Sequence, residues 1–96
     1  MNELLNKTIE SYEDWYSIRD ALMAAKKEFP EHGRDIQAMS NAIENYIRIV
    51  SQLAMNLKRK RSPGLDVRIK ENLDKANDLL KAFQQHYMIL LLTKDK

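Results

Sequence analysis

The stretch Asp35-Ile-Gln-Ala-Met-Ser-Asn-Ala-Ile-Glu-Asn-Tyr-Ile-Arg-Ile-Val-Ser-Gln-Leu-Ala-Met-Asn-Leu57 places apolar side chains at Ile36, Met39, Ile43, Tyr46, Val50, Leu53 and Leu57. Alternating steps of three and four keep these side chains on one side of an α-helix. Ala42, Ile47, Ile49 and Ala54 flank the seam. An apolar arc this wide predicts a helix that touches two neighbours rather than one. Asp35 is the candidate N-cap, and Lys58-Arg59-Lys60-Arg61 supplies cations at the negative end of the helix dipole. The predicted helix runs over about 35–61.

Downstream, Ser62-Pro63-Gly64 is a single short break. Serine can cap a helix, and proline fits its first turn because that N–H has no intrahelical partner. Beyond it, Ile69, Leu73, Ala76, Leu80, Phe83, Tyr87 and Leu90 repeat the same rhythm, predicting a helix over about 63–93. So short a connection folds the two helices back as an antiparallel hairpin. At ~1.5 Å per residue each rod is about 40 Å long, which implies an elongated shape.

Upstream, Phe29-Pro30-Glu31-His32-Gly33 is the other break. The segment before it carries two apolar stripes. Trp15, Ile18, Leu22, Ala25 and Phe29 form one; Leu5, Ile9, Tyr12 and Tyr16 form another, rotated by roughly 130° at about 100° per residue. A first helix over about 2–29 is expected, with a bend near Ser11 as the alternative, because Ser11-Tyr-Glu-Asp14 resembles a capping box with aspartate at its last position. The fold class is all-α: one domain, an antiparallel three-helix bundle built on a long helical hairpin.

Composition agrees. The 96 residues contain no cysteine and only two glycines and two prolines, which removes disulfides, thiolate metal sites and cysteine nucleophiles, and scarcely provides for β-turns. The longest apolar run, Tyr87 to Leu92, is six residues, far below the ~20 a membrane span needs. Met1 to Lys7 has neither the basic start nor the apolar stretch of a secretory signal, so a cytoplasmic protein is expected.

Two surfaces stand out as binding candidates. Between residues 58 and 70 six cations, Lys58, Arg59, Lys60, Arg61, Arg68 and Lys70, face one acid, Asp66. Arg68 and Lys70 fall in the first turns of a helix, where the dipole disfavours them, so an anionic partner such as nucleic acid is one reading. In an up-down-up bundle the first helix would start at the same tip, and Glu3, Glu10, Glu13 and Asp14 would then neutralise it, which is the other. The second surface is Met88, Ile89, Leu91 and Leu92, which project beside or away from the Tyr87–Leu90 seam. Soluble monomers usually avoid such a patch, so self-association, a dimer first, or docking of a partner helix is expected there. The bland alternative is that Leu4, Leu5 and Ile9 fold over it.

Tyr12, Trp15 and Tyr16 are expected to fill the core rather than bind a partner. Glu71-x-x-Asp74 resembles the acidic motif of all-helical nucleotide pyrophosphohydrolases, yet the facing carboxylates that such enzymes require have only Glu10-x-x-Glu13 as counterpart, and an acidic pair on a helix more often solvates an exposed face. Neither His32 nor His86 has an arginine at the spacing of helical Arg-His ribonucleases. No cofactor, metal or catalytic residue is expected. The sequence reads as a non-enzymatic helical interaction module, with a nucleic-acid-associated protein as the alternative.

Overall fold

The computed structural model of the chain describes residues 3–60 and 62–94. It is all-α. A 3-10 turn, Glu3–Asn6, precedes three helices: α1 Asp14–Glu28, α2 Gly33–Arg59 and α3 Pro63–Thr93, with a second 3-10 turn, Pro30–His32, between α1 and α2. The main packing is α2 against α3, as an antiparallel hairpin. Its 27 and 31 residues produce a molecule 54 × 19 × 16 Å. The end of the hairpin near residues 58–65 is its tip; the end where α1, α2 and the last turns of α3 meet is its base.

Core positions follow the helical rhythm with one shift. Ile36, Ile43, Val50 and Leu53 are buried as the seam requires, but Ser40 and Ile47 are buried too, whereas Met39 and Tyr46 are only half-buried. The buried strip of α2 is therefore turned toward α1, which is how one helix serves two neighbours. On α3, Ala76, Leu80, Phe83, Tyr87 and Leu90 are buried, while Ile69 and Leu73 nearer the tip are half-buried.

The first helix is half as long as expected. Instead of running over about 2–29, regular helix begins at Asp14. The cause is local and tertiary at once. The Asp14 carboxylate accepts the backbone N–H groups of Glu10 (2.9 Å) and Ser11 (3.2 Å), the acidic half of a capping box, so the chain turns there. Just upstream, Asn77 on α3 accepts from the Ile9 N–H (2.7 Å) and donates to the Ile9 carbonyl (2.8 Å), and Gln84 donates to the Lys7 carbonyl (2.8 Å). Backbone groups held by α3 side chains are not spent on a helix. The two apolar stripes thus belong to two different structures: Ile9 enters the core from an irregular strap, and Trp15, Ile18, Leu22 and Ala25 enter it from α1.

The other boundaries are nearer. α1 ends because Phe29 precedes Pro30 and takes a non-helical backbone (φ −125°, ψ 71°). α2 begins at Gly33, two residues before the expected cap, because the Pro30–His32 turn leads straight into it; Asp35 sits in the first turn as an acid at the positive end of the dipole. Ser62 is extended, as a residue before proline should be, and its hydroxyl makes no capping bond.

Candidate interaction surface

At the base, Phe29 meets Tyr87 edge-on at 5.8 Å between ring centroids, and Phe83 stacks on Tyr87 at 5.5 Å. The Tyr87 hydroxyl donates to Glu28 (2.7 Å), and the Lys94 ammonium binds the other carboxylate oxygen (2.8 Å). These two donors, Lys94 foremost, hold the Glu28 carboxyl below its ordinary pKa. The last turns of α3 are therefore pinned to the end of α1, and whatever they expose is exposed on a fixed helix.

What they expose is apolar. Met88 is 48% accessible, Ile89 59% and Leu92 71%. Ile89 and Leu92 each lie nine residues from a core position, Leu80 and Phe83, which is about 180° round the helix. The fourth residue of the expected patch, Leu91, behaves differently: it is half-buried and packs against the core. The chain around the 3-10 turn Glu3–Asn6 lies against α3. Asn77, Gln84 and Leu91 recur every seven residues, so the strap bound to the first two follows one stripe of α3 toward its C-terminal end. Leu5 and Ile9 pack into the core from this N-terminal stretch, as the alternative reading required of them. Ile89 stands about 160° round α3 from Leu91, so it remains uncovered. The side chains of Glu3 and Leu4 lie outside what is described.

At the tip, Lys58, Arg59, Lys60, Arg68 and Lys70 are all exposed, and Arg61 lies outside the described residues. Among the described residues no ion pair joins these cations to a carboxylate. The expected neutralisation by acids of the first helix has a geometric obstacle. Tyr12, Trp15 and Tyr16 stand beside Ser51 and Gln52, seven residues or about 10 Å short of Lys58. Asp14 is moreover engaged with the backbone of Glu10 and Ser11.

Two groupings escaped the sequence. His32 and His86, which nothing in the sequence pairs, meet edge-on at the base with ring centroids 5.7 Å apart. The aromatic cluster at the start of α1, expected to fill the core, does so only in part. Trp15 is 2% exposed, but Tyr16 is 56% exposed, and both line a recess against α2 that also holds Arg19, Glu44 and Arg48. The only sequence signal for it is the Glu44–Arg48 spacing of an i,i+4 pair. Among the described residues no three His, Asp or Glu side chains converge on a possible cation site, and no helix is long and apolar enough to cross a membrane. No known family, curated protein or solved structure matches the chain.

Proposed function

We propose that this chain is a small, non-enzymatic, cytoplasmic protein-interaction module, an adaptor, chaperone-like or regulatory protein, and that the last turns of α3 pair with the same surface on a second copy. The observation that carries this reading is the exposure of Met88, Ile89 and Leu92 on a helix end that is itself rigidly packed. Burying such side chains stabilises an assembly by about 25 cal/mol per Å² of apolar surface removed from water, and a rigid helix loses little entropy on docking. A two-fold arrangement lets each copy offer the same patch to the other. Met88 adds a flexible thioether that fits an imperfect surface.

Sedimentation equilibrium tests it. The wild type is expected to dimerise at micromolar concentration and Leu92→Asp to sediment as a monomer with unchanged helicity. A wild type that stays monomeric at high micromolar concentration, or a Leu92→Asp that associates equally, would overturn the reading.

A second reading has its own support, the exposed tip cations that lack an ionic partner among the described residues. A nucleic-acid-associated protein would bind a short DNA duplex through Arg59, Arg68 and their neighbours. Its log-log salt slope would be about −0.9 per phosphate neutralised. Absence of binding at low salt removes it.

A further inference from the structure

The recess between the start of α1 and the middle of α2 belongs to neither surface described above. It has a volume of about 300 Å³, the lower end of the range for small-molecule sites. Tyr12, Trp15 and Tyr16 form its aromatic side, and Arg19, Glu44 and Arg48 its charged side. We propose that it binds a small organic carboxylate carried on an aromatic or apolar body.

The charge is the first argument. Two guanidinium groups share the single carboxylate of Glu44, Arg19 on one oxygen and Arg48 on the other, each at 3.4 Å. Charge-assisted N–H···O bonds close to about 2.7–2.9 Å, and each guanidinium has five N–H donors, so among the described residues neither arginine has a shorter partner. Two cations against one anion leave an excess of one positive charge. That excess matches a monoanion and disfavours a cationic ligand.

The indole is the second argument. Trp15 is 2% exposed, and its Nε1 is a buried donor with no acceptor among the described residues. Buried donors are nearly always paired, so an unpaired indole N–H on a residue that lines the recess is a donor still lacking its acceptor. The third is shape. The Arg19 guanidinium lies over the Tyr16 ring, 5.5 Å from its centroid, which holds a planar fork at the recess for a planar, bidentate acceptor. A carboxylate meets that fork; the aromatic side chains receive the body behind it.

Trp15 is the only tryptophan of the chain, so its indole N–H gives one resonance in a ¹H–¹⁵N spectrum. Titration of the full chain with phenylacetate is expected to move that resonance downfield and saturably, with a Kd in the millimolar range usual for a ligand this small. Phenylacetamide, which keeps the shape without the charge, should bind about tenfold more weakly, as should acetate, which keeps the charge without the ring. Arg48→Gln changes a side chain that is 72% exposed, so the fold persists, as the remaining resonances will show, and phenylacetate should bind at least about fivefold more weakly. No saturable movement, equal binding of phenylacetamide or acetate, or an unchanged affinity in Arg48→Gln would overturn the proposal. Each readout is independent of the oligomeric state.

Discussion

The base and the tip are built from the same two helices and the same heptad-like rhythm, yet they differ in kind. At the base a third layer exists. α1 lies on α2, the strap lies on α3, and between them Leu22, Ile43, Ala76 and Leu80 are sealed to within 1% of full burial. Toward the tip the third layer stops near Ser51, and the seam residues Leu57 and Ile69 are only half-buried although they continue the pattern. Two helices alone cannot close a seam, because each leaves the flanks of the other wet. The difference teaches that an apolar rhythm specifies which residues face a partner helix, while burial depends on how many partners arrive.

A matched pair of truncations separates the base from the tip. Leu80→Ala at the base should cost about 3 kcal/mol or more in urea unfolding, and Leu57→Ala at the tip about 1 kcal/mol. Equal costs would mean that the tip seam is as closed as the base. Next comes the strap. Asn77→Ala strips both partners from the backbone of Ile9, leaving a donor and an acceptor unpaired, and should cost about 1–3 kcal/mol. The Ile9 and Glu10 amides should then exchange faster than those of α1, which checks that the third layer is held from α3.

A smaller effect lies in pH. Because Lys94 and Tyr87 depress the Glu28 pKa in the folded chain, its contribution to stability is present above the unfolded carboxylate pKa and is lost as pH falls through the folded value. The pair is partly exposed, so Glu28→Gln should flatten the acid limb of stability against pH by less than about 1 kcal/mol. The smallest change belongs to the tip. Among the described residues a methyl group at Gly64 meets only the Ser62 hydroxyl, at 3.8 Å, and its backbone has no positive φ. Gly64→Ala should raise stability by a few tenths up to about 0.5 kcal/mol, less than the same change would in a helix interior. Thermal unfolding measures it.

The hairpin was legible because its information is local. Steps of three and four from Ile36 to Leu57 and from Ile69 to Leu90, with Ser62-Pro63-Gly64 between, are enough to pair the helices. The strap was not, because the groups that stop the first helix from extending upstream, Asn77 and Gln84, lie 68 and 77 residues away from the backbone they bind. Ser11-x-x-Asp14 carried the only local hint. Separation in sequence likewise hid the edge-on histidine pair and the Arg19–Glu44 pair. Of the expected apolar patch, Met88, Ile89 and Leu92 are exposed and Leu91 is half-buried; the strap tied to Asn77 and Gln84 leaves no periodic trace in the sequence.

Native-state hydrogen exchange along α2 tests the central contrast most directly, since both halves belong to one uninterrupted helix. Amides from Ile43 to Ile47 should exchange only through global unfolding, and those from Ala54 to Lys58 through local opening at least about 2 kcal/mol less costly. Uniform protection from Ile43 to Lys58, at a concentration where the chain sediments as a single species, would contradict the account.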